Sequence, residues 1–233
     1  MKKTLAIDED MLVYRIGYGV KDYDSRFRVE SAIWQYLIKL CLESGHTQFI
    51  LCRSDKTLWR SAMYPLYKAT RKHNINPWRA YVKEYLTEYC LKVEGEEADD
   101  IMASLAAQKE GIIICTNDKD LRQVPGEHMK FSGDKATVTK EEGNFNFCLQ
   151  LLMGDNVDNI PGIPGIGLGR GKKALEKMEV TEENCLRFYL EKNLTIEYYT
   201  MMYRLMKMKT DLDVSSMRII TLDEIRKMEE PYG

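Results

Sequence analysis

The chain has 233 residues, 44% of them hydrophobic, which suffices for one compact domain or two small ones without disulfides or a structural metal. Its 34 Lys and Arg residues nearly balance 36 Asp and Glu residues, so the net charge of −2 alone predicts neither a membrane nor a nucleic-acid partner. The six cysteines are widely spaced, without a C-x-x-C pair, and are predicted to be reduced and buried. No signal-peptide pattern or long apolar run occurs, so we expect a soluble, cytoplasmic protein.

Three short apolar segments predict the buried strands of a parallel sheet. They are Leu5-Ala6-Ile7, Phe49 to Cys52, and Ile112 to Thr116. Apolar residues at helical spacing occupy Val29 to Cys41, the stretch that begins at Pro77, and Ala98 to Ala106. Strands that alternate with amphipathic helices predict an α/β fold with a doubly wound, mostly parallel sheet. Functional sites in such folds form at the carboxyl ends of the strands.

The second half of the chain has a different pattern. Residues 131–138 contain a Ser-Gly-Asp turn and predict a small hairpin, and residues 145–153 return to helical spacing. Residues 161–171 then hold five of the 15 glycines and precede a mostly helical remainder. We therefore predict an α/β core in residues 1–145 and a mainly helical region in residues 146–233 that packs on it.

Acidic residues follow the predicted strands, open the third helix and precede the glycine-rich segment. They are Asp8, Glu97, Asp99, Asp100, Asp118, Asp120, Asp155 and Asp158. Because these loops face one crevice in a doubly wound sheet, the carboxylates would repel one another unless a cation neutralised them. Oxygen ligands without His or Cys select hard ions, Mg²⁺ first and Mn²⁺ as a substitute, and two such ions are the usual machinery of phosphodiester hydrolysis. These residues form four clusters: Asp8; Glu97, Asp99 and Asp100; Asp118 and Asp120; and Asp155 and Asp158. Helix capping explains any one of these clusters better than metal binding does, but it does not account for all four together.

The glycine-rich segment fits neither common nucleotide-binding motif. Its exposed N–H groups and the helix start that follows can nevertheless bind phosphate. A flexible linker is the alternative, but the isoleucines between the glycines are expected to pack. The predicted DNA contacts here are Gly162, Gly165, Gly167, Gly169, Arg170, Lys172 and Lys173.

A basic segment at about residues 60–85 is interleaved with aromatic residues. From residue 53 to residue 92 the chain has nine Lys or Arg against three Asp or Glu, a mixture that suits phosphates and unpaired bases. The stripe of Tyr81, Tyr85 and Tyr89 is better explained as core. The functional candidates are Arg60, Tyr67, Lys68, Arg71 and Lys72.

Together these motifs resemble the 5′ nuclease family, which includes phage and bacterial flap endonucleases and the 5′-3′ exonuclease domains of bacterial DNA polymerases. The resemblance covers most of residues 1–177. Its most specific segments are Glu97-Ala98-Asp99-Asp100, Thr116 to Asp120, and Met153 to Gly162 running into Gly165-Ile166-Gly167. It implies that the eight carboxylates bind two divalent ions and that Tyr67, Lys68 and Arg71 lie at the base of a helical arch, with the Lys and Arg on the scissile phosphate. It also implies that residues 160–177 form a helix-three-turn-helix that grips duplex DNA and can hold K⁺.

The sequence departs from the family pattern at three places. Asp8 is followed by Glu9, where the family usually has glycine. The aspartate expected after the second strand has only Asp55 as a candidate, a couple of residues late, and Asp55 is therefore a ninth candidate ligand. Only 28 residues separate Lys68 from Glu97, which is short for the arch of phage flap endonucleases. Whether a single-stranded flap threads through such an arch is therefore an open question.

The resemblance implies a divalent-metal-dependent 5′-3′ exonuclease or structure-specific flap endonuclease that leaves 5′-phosphate products. Its partners would be DNA with 5′ ends, flaps or nicks, and RNA–DNA primers, in phage DNA replication. We expect a monomer, in the host cytoplasm if it is phage-encoded. A ribonuclease resembling the PIN-like superfamily and a catalytically silent DNA-structure-binding protein are the alternatives. The phosphate-binding turn after Asp158 favours duplex DNA over the first, and the apparently intact ligand set argues against the second.

Overall fold

The structure is a computed structural model that describes residues 2–21, 25–71 and 76–229. In these ranges seven strands form one sheet: β1 (Thr4–Asp8), β2 (Gln48–Cys52), β3 (Cys90–Leu91), β4 (Ile112–Cys115), β5 (Gly126–Met129), β6 (Lys135–Val138) and β7 (Ile220–Thr221). The order is β3-β2-β1-β4-β5-β6, with β7 paired to β2. Strands β6 and β7 are antiparallel to their neighbours and the other pairs are parallel. The predicted mostly parallel α/β sheet is confirmed.

Ten helices surround this sheet in the described ranges. They are α1 (Glu9–Gly19), α2 (Arg26–Ser44), α3 (Trp59–Met63), α4 (Pro77–Tyr85), α5 (Ala98–Gln108), α6 (Lys140–Met153), α7 (Leu168–Leu175), α8 (Glu182–Glu191), α9 (Ile196–Met206) and α10 (Leu222–Glu229). The three helices predicted in the first half are confirmed as α2, α4 and α5. Local signals set their ends: Gly45, with a φ of 74°, terminates α2, and the Asn76 side chain caps α4 ahead of Pro77.

Two boundaries differ from the prediction. The hairpin begins at Gly126, five residues before residue 131, because the polar strand β5 lacks the apolar alternation that marks a strand in sequence. Helix α6 begins at Lys140, where Thr139 and Glu142 form a capping box, and it runs through residue 145.

Three apolar clusters hold these layers together. One covers the face of the sheet against α1, α2, α4 and α10, and a second covers the opposite face against α5. The third joins α6, α8 and α9 around Phe147 and Tyr189, and it includes Tyr67 from the basic segment. Five cysteines are buried and Cys90 is half-buried, and all six are free thiols, as predicted. Among the described residues, no helix is both long enough and apolar enough to cross a membrane.

Candidate active site

The adjacent ends of β1 and β4 bring two predicted ligands, Asp8 and Asp118, close together. Ile7 lies opposite Cys115 in the parallel ladder, so the residues that follow each strand are neighbours. The Thr116 hydroxyl donates to Asp8 Oδ2 at 3.3 Å and accepts from the backbone N–H of Asp118 at 3.1 Å. Asp8 also caps α1 by accepting from the N–H of Met11 at 3.3 Å. Thr116 therefore ties the two acidic loops to each other.

Asp99, in the first turn of α5, completes what we call the Asp8 group: Asp8, Asp99 and Asp118. Burial raises the pKa of Asp99 well above its ordinary value, and the charges of Asp8 and Asp118 raise it further. Burial, Asp10 and Asp118 raise the pKa of Asp8 to about 7. In the described part of the chain, no Lys or Arg forms an ion pair with any member of this group. These carboxylates repel one another, and the protein compensates for this only in part. The charge of Lys68 lowers the pKa of Asp99, and hydrogen bonds from Met11 and Thr116 lower the pKa of Asp8, but both pKa values stay raised.

A second set, which we call the Glu97 group, consists of Glu97 and Asp158 and is matched by cations. Glu97 accepts from the Tyr67 hydroxyl at 2.6 Å and is also bonded to Lys68. Asp158 pairs with Arg71, and its Oδ2 lies 3.6 Å from Lys68 Nζ. Burial acts to raise the pKa of Glu97, but the positive charges of Lys68 and Arg60 outweigh it and hold that pKa below its ordinary value.

Asp120 and Asp155 share a cation that sequence reasoning missed. Lys119 Nζ lies 3.0 Å from Asp155 Oδ2 and 3.5 Å from Asp120 Oδ1. Gln150, on α6, donates to Asp120 Oδ1 at 2.6 Å, while Asp155 Oδ1 accepts from the N–H of Val157 at 2.6 Å. Burial, Asp118 and Asp155 still raise the pKa of Asp120 to about 7. Lys119 lies between Asp118 and Asp120 in the sequence, and that position was the available signal.

One narrow cavity of about 30 Å³ collects five of the predicted ligands. Its acidic lining is Glu97, Asp99, Asp120, Asp155 and Asp158, and the Tyr67 ring closes one side. Within residues 2–21, 25–71 and 76–229, no three Asp, Glu, His or Cys side chains enclose a common point as they stand. The donor set nevertheless fits hard divalent ions, because it consists of buried carboxylate oxygens whose mutual repulsion a cation relieves.

The structure places two predicted ligands elsewhere. Asp55 caps a turn: it accepts from the N–H of Gly95 at 2.8 Å and pairs with Lys92 at 3.2 Å. Asp100 is fully buried and its two oxygens bind the guanidinium of Arg60. Neither carboxylate lines the acidic cavity.

Arg60 was predicted to contact DNA, but its side chain is buried in the structure. Its side chain is only 4% exposed and donates to Asp100, to Glu97 and to the carbonyl of Leu205. A guanidinium enclosed in this way cannot reach a DNA backbone, so its role is to join α3 and α5 to the end of α9. The local pattern of basic residues predicted a DNA contact because it cannot show that Arg60 binds the carbonyl of Leu205, which is distant in the sequence.

A buried ion pair explains two departures from the family pattern at once. Arg53, the first residue after β2, donates through Nη2 to Glu9 Oε1 at 2.7 Å. Arg53 also donates to the carbonyl of Lys83 at 2.6 Å and to the Thr87 hydroxyl at 2.8 Å. The end of β2 thus provides a cation where a carboxylate is expected, and Glu9 balances that cation. An acid after Asp8 together with a base after β2 was the sequence signal.

The glycine-rich segment forms an ordered turn that leads into α7. Gly162, with a φ of 59°, is buried so tightly that a Cβ there would lie 2.3 Å from the nitrogen of Gly154. Gly162 is therefore a packing residue, and its predicted DNA contact is corrected. Arg170 donates to the carbonyl of Gly165 at 2.8 Å. Six of the predicted contacts stay exposed here and along α7: Gly165, Gly167, Gly169, Arg170, Lys172 and Lys173.

The predicted catalytic residues lie together beside the acidic cavity. The buried Tyr67 and the half-buried Lys68 reach Glu97, and the more exposed Arg71 reaches Asp158. Lys72, a predicted DNA contact, lies outside the described residues.

Comparisons with known proteins agree with this arrangement. Residues 3–146 match the family described as 5′-3′ exonuclease, N-terminal resolvase-like domain. DNA polymerase I of Borreliella burgdorferi is 31% identical over 196 residues, covering 72% of this chain and 22% of the relative. The thermostable DNA polymerase I of Thermus aquaticus is 31% identical over 205 residues, covering 75% and 24%. This chain thus matches less than a quarter of the length of either polymerase.

One solved structure spans nearly the whole chain. It is the bacteriophage T5 flap endonuclease in a pseudo-enzyme–product complex with DNA and metal ions. It is 16% identical, covers 99% of this chain and 98% of its own, and superimposes with a TM-score of 0.65. The likeness therefore extends the shared fold beyond residue 146 into the helical half.

Proposed function

The chain belongs to the 5′-3′ exonuclease family, and from that premise we propose that it is a divalent-metal-dependent 5′ nuclease acting on DNA. The observation that carries the proposal is the cavity in which five carboxylates meet beside Lys68 and Arg71. A cavity with this lining repels a phosphodiester unless cations compensate for it. The structure offers both kinds of compensation: cationic side chains at one edge and an oxygen donor set for metal ions.

The proposed metal ligands are Asp8, Glu97, Asp99, Asp118, Asp120, Asp155 and Asp158. Asp55 and Asp100 are left out because neither lines the acidic cavity or belongs to the Asp8 group: Asp55 caps a turn, and both oxygens of Asp100 bind Arg60. Bound Mg²⁺, or Mn²⁺ in its place, supplies the Lewis acidity that polarises a phosphodiester and lowers the pKa of an attacking water. The T5 flap endonuclease structure, which contains metal ions, supports metal binding at this site but does not identify the ion.

Lys68 and Arg71 hold the scissile phosphate. Each is paired with a carboxylate in the structure, so binding DNA exchanges one anionic partner for another. Because Glu97 and Asp158 hold both cations at the cavity edge, their charge is already in place where negative charge develops on the phosphate. Tyr67 fixes Glu97 through its hydroxyl, which is a positioning role.

The exposed face of residues 160–177 grips the duplex. Lys172 and Lys173 supply positive charge there, and Gly165 and Gly167 leave backbone groups open to phosphate or to a K⁺ ion. We assign catalysis to residues 1–145, with a basic arch-like segment at about residues 60–85, and duplex binding to residues 146–233. The proposed substrates are DNA with 5′ ends, flaps or nicks, and RNA–DNA primers, processed by a monomer during phage replication.

The test follows purified protein on a duplex with a labelled 5′ flap, in Mg²⁺ and again in EDTA, with product sizes resolved on a gel. Mg²⁺-dependent cutting near the junction is expected for a flap endonuclease, and single-nucleotide products for an exonuclease. Binding without cleavage in Mg²⁺ or Mn²⁺ would contradict the proposal and leave a silent DNA-binding protein. Preference for an all-RNA substrate would favour a PIN-like ribonuclease.

A further inference from the structure

Two loops that carry the proposed catalytic groups are bonded directly to each other. We call residues 64–71 the Lys68 loop and residues 154–160 the Asp158 loop. The backbone N–H of Lys68 donates to the carbonyl of Asp158 at 2.9 Å. The side-chain amide of Asn159 donates to the carbonyl of Leu66, also at 2.9 Å. These reciprocal bonds fix the separation of the two loops.

Both loops turn on a non-glycine residue in left-handed backbone conformation. Lys68 has a φ of 56° and Asn159 a φ of 59°. Asn tolerates this conformation, whereas a long side chain such as Lys adopts it only when the surroundings impose it. The Asn159 amide binds the carbonyl two residues before Lys68 and so helps to impose that turn.

The turn determines where the cations point. The loop reverses between Lys68, which reaches Glu97, and Arg71, which reaches Asp158. The N–H of Arg71 closes that reversal by donating to the carbonyl of Lys68 at 3.1 Å. Release of the loop at Leu66 removes one of the two bonds that join the loops, so we expect this alignment to loosen.

We propose that Asn159 is a positioning residue, whose side-chain amide holds the Lys68 loop in the conformation that delivers Lys68 and Arg71 to the scissile phosphate. The proposal rests on the nuclease function proposed above. Asn159 itself does not touch the phosphate in this account, because its amide is occupied by Leu66.

The experiment compares Asn159→Gly with Asn156→Gly on the flap substrate in Mg²⁺. Glycine at 159 can keep the left-handed backbone while it removes the side-chain amide, and Asn156→Gly adds the same backbone freedom in the same turn. Asn156 is exposed and lies in the same turn, so its variant is the matched control. We expect kcat of Asn159→Gly to fall roughly 10- to 100-fold with KM little changed, the range for partners that orient catalytic groups, and Asn156→Gly to stay close to wild type. Equal kcat values for the two variants would overturn the proposal.

A double-variant cycle separates positioning from a general structural effect. In a background that carries both Lys68→Ala and Arg71→Ala, Asn159→Gly should cost much less than in the wild type, because both aligned groups are already gone. A full additional loss would show that Asn159 acts on something else and would overturn the proposal.

Limited trypsin digestion gives a readout that does not need catalysis. Asn159→Gly should speed cleavage after Lys68, followed by product mass, while Asn156→Gly should not. Unchanged cleavage after Lys68 would overturn the proposal. If wild type and the control variant do not cut flaps, the nuclease function fails, and the digestion still decides whether Asn159 holds the loop.

Discussion

The Asp8 group and the Glu97 group belong to one site but meet opposite electrostatic conditions. Glu97 and Asp158 are held by Lys68 and Arg71, and the pKa of Glu97 lies below its ordinary value although burial acts to raise it. Asp8 and Asp99 have raised pKa values, with burial as the leading cause and neighbouring carboxylates as the next. Among the described residues, the protein thus pairs the Glu97 group with its own cations and gives the Asp8 group no ion pair with Lys or Arg.

The sharpest test of that contrast is Asp118→Ala against Asp55→Ala. Loss of Asp118 should reduce kcat by about 1,000-fold, at the upper end of what a single main electrostatic contributor provides, with DNA binding retained. Asp55 caps a turn away from the cavity, so its variant should keep most of the activity. Flap cleavage and a gel-shift assay measure both effects. Wild-type turnover by Asp118→Ala would contradict the proposed mechanism.

At the end of β2, the buried carboxylate of Glu9 is paired with a buried cation, Arg53. Arg53→Met should show how much breaking this pair lowers the free energy of unfolding. The variant leaves the fully buried Glu9 without its cation and should lose about 3 to 5 kcal/mol of unfolding free energy. The double variant Glu9→Gln with Arg53→Met should recover part of that loss. Urea unfolding of the three proteins measures the coupling, and strictly additive losses would show that the pair does not act as a unit.

Glu97→Gln should destabilise the protein in EDTA. The substitution leaves the half-buried ammonium of Lys68 without its main partner and weakens the bond from Arg60, which retains Asp100. We expect a loss of about 2 kcal/mol, below the full cost of breaking a buried pair. Thermal or urea unfolding at pH 8 measures it, and unchanged stability would mean that the cations of the Glu97 group are not compensated by that carboxylate.

Asp99→Asn, two residues further along the same helix, should act in the opposite direction. Removing one of three mutually repelling carboxylates should raise stability in EDTA at pH 8 by about 1 kcal/mol, the scale of one pKa unit. The same variant should lose the stabilisation that Mg²⁺ confers on the wild type. If Asp99→Asn instead destabilised the protein in EDTA, the claim that the carboxylates of the Asp8 group repel one another while those of the Glu97 group are compensated would be wrong.

Local patterns in the sequence were sufficient for the elements that bear the site. Apolar runs located β1, β2 and β4, and a helix-opening acid cluster located α5, because burial and helix capping act over a few residues. The same reasoning placed carboxylates at the strand ends, where a parallel sheet brings them together. The polar strand β5 lacked such a pattern, and the predicted hairpin therefore began five residues late.

Residues with distant partners were assigned less well. Arg60 looked like part of a basic DNA track, but its carboxylate partner Asp100 lies 40 positions away. Asp55 looked like a late ligand, but the N–H of Gly95 takes its oxygen. Charge alone does not show whether a residue faces solvent or a buried partner, because that depends on which elements pack against it.

The sequence by itself determined which segments form the central strands, which acidic residues lie at their ends and where the basic segment lies in the chain. Only the tertiary structure decided which acid meets which base: Glu97 meets Lys68, Glu9 meets Arg53, and within the described ranges Asp8 pairs with no Lys or Arg. The physical reason is that a carboxylate's state depends on charges and burial within a few ångströms. Those neighbours come from parts of the chain that only folding brings together.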